Sequence, residues 1–228
     1  LVEALRDLAL RQGVDIQTSA RVDRILVVSN QVRGVSVVGQ NLDFDAVVCN
    51  VDANTTYRSM LASHPFRMAR PHQRLPLSSS ALVFLWAMSG EHQELEIHNI
   101  FFSTDYAHEF RQLHHGACPD DPTIYVYRSC AYAPEDAPVG NENWFVMINT
   151  PPDSGQDWGQ VICRVRECLV RRLTRALGSD IATAIRAERV LTPRDFQQRT
   201  GSYRGSLYGP ASHGATATFM RHPNRARE

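Results

Sequence analysis

A long amphipathic segment places the strongest constraint on the fold. Apolar residues recur every three or four positions from Trp158 to Leu177, and Gly178 follows; this is typical of a helix with one buried face. Such a helix needs an apolar surface to cover. Three upstream runs rich in aromatic and β-branched residues, at 81–88, 123–127 and 143–148, are typical of strands. The sequence therefore predicts an antiparallel sheet with helices packed on it.

The first 64 residues have a different pattern. A helical segment ends at Gly13, and strand-like segments joined by tight turns predict a three-stranded meander. A short strand at 14–16 precedes the meander, and an apolar run at 46–49 without alternation predicts a strand buried on both faces. Asp52 can cap the helix that follows. The meander segments are 22–28, 32–38 and 42–44.

This order of elements is that of the rear part of an open α/β nucleotide-binding domain. The G-x-G-x-x-G loop of such domains is absent from the sequence, and Gly34 and Gly39 are interpreted as turn glycines. We therefore predict a mixed α/β fold in which residues 1–64 form the rear of that domain. An inserted second domain spans 65–200, beginning in a crossover rich in proline, arginine and histidine, and 201–228 return towards the first domain.

Composition narrows the possible partners. The chain has 24 basic and 24 acidic residues and no sustained basic block before 221–227, which argues against nucleic-acid binding. Its longest apolar run, 81–88, is far shorter than the roughly 20 residues of a membrane-spanning helix. Five cysteines without a C-x-x-C pair favour a reducing compartment. The chain opens with Leu1 inside a helical pattern, so we expect a fragment of a longer protein.

Several groups of polar residues could suggest a metal site, acid–base catalysis or lipid binding. Each group is interpreted here as solvent-exposed and without such a role. His114, His115 and Cys118 lack a fourth ligand at suitable spacing, so we predict a solvated loop and no metal. Asp105 and Glu109 lie four residues apart and are interpreted as solvated acids in a first helical turn. The long helix also carries a basic group, formed by Arg171, Arg172 and Arg175. It is likewise interpreted as a solvated face, and the alternative is contact with anionic lipid.

Five motifs give the chain a recognisable pattern. Residues 98–110 resemble the H-N-I-F-F-S-x-D-Y-x-x-E-F signature of phytoene desaturase-type carotenoid oxidoreductases, and 121–126 resemble their D-P-T-I-Y-V strand. Residues 137–143 are similar to their A-P-x-G-x-E-N loop, and 201–212 to G-S-x-x-G-x-L-Y-G-x-A-S. Gly34-Val35 and 45–52 resemble the hairpin and the D-A-V-V-x-N-x-D strand of their flavin domain.

The resemblance implies an FAD-dependent dehydrogenation of a long isoprenoid hydrocarbon. It implies hydride transfer from an allylic carbon to the flavin, loss of a neighbouring proton and formation of a double bond. Residues 144–149 and 156–158 resemble the branch that acts on hydroxylated or partly desaturated carotenoids. We expect a cytoplasmic protein attached peripherally to the membrane, and we expect this piece alone to be inactive and to bind FAD poorly.

Candidate site residues follow from the resemblance and from the strand pattern. Val22 lies where related flavin enzymes contact adenine through the backbone. Tyr125 and Tyr127 share one strand face, opposite Ile124 and Val126, and that face can contact substrate. The predicted substrate-lining residues are Phe101, Phe102, Tyr125, Tyr203 and Tyr208.

Three alternatives remain open at this point. The first is a related flavin amine oxidase, and the second is a retinoid saturase-type oxidoreductase on the same scaffold. The third is a module without catalytic activity that binds an apolar ligand or a partner.

Overall fold

The computed structural model describes residues 1–63 and 74–211 and contains two antiparallel sheets. The strands are β1 (Val22–Val28), β2 (Gln31–Val37), β3 (Gln40–Asp43), β4 (Ser80–Ser89), β5 (His98–Phe101), β6 (Ile124–Tyr127), β7 (Asn141–Thr150) and β8 (Ile185–Leu191). The helices are α1 (Val2–Arg11), α2 (Ala53–Thr55), α3 (Tyr106–His114), α4 (Trp158–Leu177), α5 (Ile181–Ala184) and α6 (Pro193–Thr200).

The first sheet is the predicted meander, in the order β1-β2-β3. Helix α2 continues into a π-helical turn over Thr56–Met60, and Asp52 caps it by accepting hydrogen bonds from the amides of Asn54 and Thr55. Met60 packs with Leu61 and Ile25 in a small core on this sheet. The meander and the capped helix are therefore confirmed.

The second sheet has the order β5-β6-β7-β4-β8 and is antiparallel throughout. Strands β4 and β7 pair along their whole length, from Ser80 opposite Thr150 to Ser89 opposite Asn141. The long helix α4 lies on one face and is capped by Asp157, whose side chain accepts from the Gln160 amide. The antiparallel sheet with helices is thus confirmed.

The main core lies between α4 and this sheet. Every second residue of β7 is buried, because side chains alternate between the two faces of a strand. Leu169 and Leu173 of α4 are fully buried against this face. The buried strand residues of this core are Leu82, Phe84, Trp86, Met88, Ile124, Val126, Trp144, Val146 and Ile148.

Some local predictions are wrong. Residues 14–16 and 46–49 are not strands, and Val48 is almost fully exposed; no strand in the described part of the chain pairs with either segment, so neither can form a ladder. Gly34 lies inside β2, where a Cβ would come within 1.9 Å of the Leu42 carbonyl oxygen, so close strand approach requires glycine there. Strand β8 went unpredicted because it is a polar edge strand.

Other predictions concern residues beyond those described. The domain crossover at 65–76 lies largely outside the described residues, and so do Ser212 and the basic tail at 221–227. Within 1–63 and 74–211, no helix has the length and apolar content needed to cross a membrane.

We predict that Leu169→Ala lowers the free energy of unfolding by about 2–5 kcal/mol, because it leaves a cavity in a fully buried part of the core. Leu5→Ala is the matched control: Leu5 is more than half exposed on α1, a helix without buried residues, so a change within about 0.5 kcal/mol is expected. Urea denaturation measures both. Equal effects would contradict the placement of the core.

Candidate functional site

The face of the second sheet opposite α4 forms an apolar surface. The strand register aligns two rows of side chains across it. One row is Ile100, Tyr125, Met147 and Val83, and the other is His98, Tyr127, Phe145, Leu85 and Arg189. Ile100 is 57% exposed, His98 is exposed, Val83 is buried, and the three rings of Tyr125, Tyr127 and Phe145 are half-buried. Apart from Val83, the aromatic and aliphatic groups of this open face are covered only in part by the described elements.

A cavity of about 490 Å³ lies on this face. Its floor is apolar, with Leu85 and Phe145 on the two central strands and Ala87 and Ala187 beside them. A site for an apolar ligand has this character: a concave apolar surface with few polar groups. The other lining residues are Trp86, Tyr127, Ser129, Asn143, Trp144, Glu188 and Arg189.

A histidine–tyrosine pair lies beside the cavity on the same face. The Nδ1 atom of His98 is 2.8 Å from the Tyr125 hydroxyl, and the His98 ring stacks on Tyr127 with ring centroids 5.1 Å apart. Tyr125 meets Phe145 edge-on at 6.3 Å. Burial, with a smaller contribution from Tyr127, raises the pKa of the Tyr125 hydroxyl. The Tyr125 phenol is therefore protonated at neutral pH, as an ordinary tyrosine also is.

Glu109 holds the turn between β5 and α3. It is 1% exposed, and it accepts hydrogen bonds from the Ser103 hydroxyl at 2.8 Å and from the amide and hydroxyl of Thr123 at 2.9 and 2.7 Å. The interpretation of Glu109 as a solvated acid is therefore wrong, since three donors satisfy its carboxylate inside the protein. Asp105 is exposed and caps α3 through the His108 amide.

A second carboxylate joins the same region to α4. Asp121 accepts from the Thr104 amide at 2.8 Å and pairs with Arg172 at 2.8 Å. Burial alone would raise the pKa of Asp121, but the Thr104 hydrogen bonds and the Arg172 charge hold it below its usual range. Arg172 also donates to the Phe102 carbonyl oxygen at 2.7 Å. Arg172 therefore does not belong to the predicted solvated face, whereas Arg171 and Arg175 are exposed.

A further carboxylate, that of Glu142, is buried and connects the loops at the other end of the sheet. Glu142 accepts from the His92 amide at 3.0 Å and from Trp144 Nε1 at 2.8 Å, and it pairs with Arg128. Its second oxygen is 3.0 Å from His92 Nδ1. Burial would raise the pKa of Glu142, but these hydrogen bonds and the Arg128 charge lower it.

The predicted aromatic site residues lie in different places. Tyr125 is on the open face, whereas Phe101 packs against the core on the α4 side. Phe102 is 65% exposed and contacts Tyr106, with ring centroids 5.9 Å apart. Tyr203 lies under the Arg58 guanidinium at 4.8 Å, and Tyr208 is exposed.

The loop that carries Tyr203 and Tyr208 connects the two sheets. The Gly205 carbonyl oxygen accepts from the Ser80 hydroxyl at 2.6 Å, and that of Gly201 accepts from Thr55 at 2.7 Å. Only Tyr125 of the predicted lining residues therefore lies among the open-face side chains. Sequence reasoning missed Leu85, Phe145 and Met147, although their alternation with buried neighbours was a usable signal.

The described residues contain only a small part of what a dinucleotide-binding site requires. A pyrophosphate is held by a G-x-G-x-x-G loop between a strand and a helix. The sequence has no such segment, and Leu42 and Pro193 fill the space beside Gly34 and Gly205. Val22 begins β1, and its side chain packs on the Ile25–Met60–Leu61 core. Within 1–63 and 74–211, the residues thus fit at most an adenine-side contact at Val22, and they do not form the phosphate site.

The predicted loop with His114, His115 and Cys118 is solvated only in part. Both histidines are exposed, but Cys118 is buried, and burial raises the pKa of its thiol to about 11. The described residues contain no cluster of metal-ligating side chains.

Comparisons with known proteins give a matching family and several named relatives. A family model described as flavin containing amine oxidoreductase matches residues 1–153. A 1-hydroxycarotenoid 3,4-desaturase from Flavobacterium sp. (strain P99-3) is 39% identical over 97% of this chain and 45% of that protein. A 4,4'-diaponeurosporene oxygenase from Staphylococcus aureus (strain USA300) is 30% identical over 92% of this chain and 43% of that protein.

The comparison with solved structures gives a more distant likeness. An oxidoreductase from Methanosarcina mazei overlays with a TM-score of 0.49 and 15% identity, covering 84% of this chain and 40% of that one. The chain spans less than half the length of the curated relatives it matches.

We predict that Glu142→Gln lowers the free energy of unfolding at pH 7 by about 3 kcal/mol, because it leaves the Arg128 charge without its buried partner. The lowered pKa means that Glu142 stabilises the fold above the unfolded-state pKa and loses this effect as pH falls through the folded-state pKa. The difference between wild type and variant should therefore shrink in acid. Urea denaturation at several pH values measures it.

The matched control is Glu135→Gln, which removes the same charge from an exposed position in the preceding loop. It should leave stability nearly unchanged at every pH. A Glu142→Gln variant as stable as this control at pH 7 would refute the role of the buried carboxylate.

Proposed function

Because this chain belongs to the family of flavin containing amine oxidoreductases, we propose that its whole protein is an FAD-dependent enzyme that desaturates a carotenoid or a similar isoprenoid. Two relatives named for carotenoid chemistry support the choice within the family. They favour it over an amine oxidase or a retinoid saturase. They also favour an enzyme over a binding module without activity.

The observation that carries the proposal is the open face of the second sheet. An isoprenoid chain offers almost no hydrogen-bonding groups, so its recognition depends on apolar area and shape. Tyr127, Phe145, Met147 and Leu85 form such an area next to a cavity of about 490 Å³. A cavity of this size suits one end of a long chain, with the rest lying along the face.

In this proposal the chain binds and orients, and the flavin supplies the redox chemistry by accepting a hydride when bound. The half-buried rings of Tyr125 and Phe145 hold the substrate against the sheet and exclude water from it. The sheet is fixed from behind by α4, and its ends by the buried carboxylates of Glu109 and Glu142. A rigid floor of this kind selects which carbon of the substrate is presented for reaction.

We also propose peripheral attachment to a membrane, where such substrates dissolve. The exposed rings of Phe102, Tyr106 and Phe110 contact each other at the edge of the sheet, with centroid separations of 5.9 and 4.8 Å. Aromatic side chains favour the membrane interface.

We further propose the division into domains at 1–64, 65–200 and 201–228.

We predict that Phe145→Ser in the whole protein reduces carotenoid conversion by about tenfold or more, since it removes apolar contact area from the open face. The assay expresses the protein in cells that accumulate phytoene, neurosporene or 1-hydroxylated carotenoids and identifies the pigments by chromatography. Phe145→Leu, which keeps the area, should retain activity.

Tyr132→Ser is the control, because Tyr132 is exposed on the loop before β7 and does not line the cavity. Wild-type protein that converts none of these carotenoids would overturn the proposed function. Equal conversion by Phe145→Ser and Tyr132→Ser would overturn the proposed site.

We predict that the 228-residue chain by itself binds FAD weakly, because its described residues lack a phosphate-binding glycine loop. The flavin absorbance of protein purified in the presence of FAD measures this. A stoichiometric flavin spectrum would contradict the prediction.

A further inference from the structure

The cavity on the open face is apolar at its floor and polar along part of its rim. Leu85, Phe145, Ala87 and Ala187 provide the floor. Three hydrogen-bond donors line the same cavity from two strands or their ends: Arg189 on β8, Tyr127 on β6, and Ser129 just after β6. This arrangement is unlike a site for a pure hydrocarbon, which needs no donors.

The donors are not engaged by the described part of the protein. Arg189 has no hydrogen bond or ion pair there, and the Tyr127 hydroxyl has no hydrogen-bond partner. The Ser129 hydroxyl accepts from the Asn143 amide nitrogen at 2.7 Å, and its own proton has no acceptor among the described residues. Each group can therefore donate to a ligand.

The amide and carboxylate oxygens of the side chains around the cavity are already used. The Asn143 side-chain oxygen accepts from the Cys130 amide at 3.2 Å. The carboxylate of Glu188 faces Trp86 Nε1, at 2.5 Å, and Arg166, whose Nε lies 2.9 and 3.1 Å from its two oxygens. The rim thus offers free donors and a positive charge, while its carboxylate and side-chain amide oxygens are engaged within the described part of the protein.

We propose that this cavity binds the oxygen-bearing end of an isoprenoid chain, with Arg189 and the hydroxyls of Tyr127 and Ser129 as the donors available to that end. The proposal rests on the proposed function and deepens it by assigning a specificity site. A hydroxyl oxygen accepts up to two hydrogen bonds and a carboxylate more, so both can be satisfied by these donors, whereas a hydrocarbon end satisfies none of them. Anchoring one end fixes how far along the sheet each carbon of the chain lies, and so which bond is presented for desaturation.

Three polyenes that differ only at one end test the assignment with the 228-residue chain itself. Retinol carries a hydroxyl, retinoic acid a carboxylate, and axerophtene is the hydrocarbon with the same polyene. Their absorption overlaps tryptophan emission, and Trp86 and Trp144 lie on the two central strands directly behind the cavity, so quenching of tryptophan fluorescence reports binding. We expect retinol and retinoic acid to bind more tightly than axerophtene.

Arg189→Gln should weaken the binding of retinoic acid about tenfold, and of retinol less, while leaving axerophtene unchanged, because only the acid forms a charge-assisted hydrogen bond. The control is Arg186→Gln, which makes the same change on the same strand, at a residue outside the cavity lining. It should alter no affinity.

Two results would overturn the assignment. One is equal affinity of wild type for all three polyenes, and the other is an equal loss for all three in Arg189→Gln. If axerophtene binds as tightly as the oxygenated polyenes, the oxygen site is refuted. The binding of polyenes to the apolar face is then still supported. Absence of any polyene binding would count against the apolar face as well.

Discussion

The packing of α4 on one side of a five-stranded sheet is the interaction on which the rest of the structure depends. Leu169 and Leu173 are fully buried against alternate residues of β4 and β7. Because side chains alternate along a strand, burial of one set fixes the other set on the opposite face. Phe145 and Met147 are therefore presented there by the burial of Trp144 and Val146. A shift of one residue in either strand would exchange the two faces.

Buried carboxylates hold the ends of this sheet in place. Glu109 binds the β5–α3 turn to the start of β6 through Ser103 and Thr123, and Glu142 binds the loop at His92 to Arg128. These contacts show the structural role of residues in three of the recognised motifs. The S-x-D-Y-x-x-E and D-P-T segments hydrogen-bond to each other, and the glutamate of A-P-x-G-x-E-N is the acceptor of the third cluster. The motifs therefore build the frame of the site and supply Tyr125, while Val83, Leu85, Phe145 and Met147 of its open face come from β4 and β7.

The sequence predicted elements whose pattern is local and could not predict contacts between distant residues. The α4 helix and the meander follow from periodicity and turns within each segment. Glu109 was misinterpreted because its partner Thr123 lies 14 residues away, and an acid in a first helical turn has the same pattern whether solvated or buried. Strand β8 was missed because an edge strand needs no apolar alternation. The candidate face can be recognised only when the register of all five strands is known. The sequence pattern indicated only some of these strands.

The central claim is that the open face of the second sheet binds an isoprenoid chain. Photolabelling with a diazirine-bearing isoprenoid, followed by mass spectrometric mapping of the modified peptides, tests it most directly. The structure predicts adducts in β4, β6 and β7, at Leu85, Tyr127, Phe145 or Met147, that unlabelled carotenoid suppresses. Adducts confined to other surfaces, or labelling that carotenoid does not compete away, would contradict it.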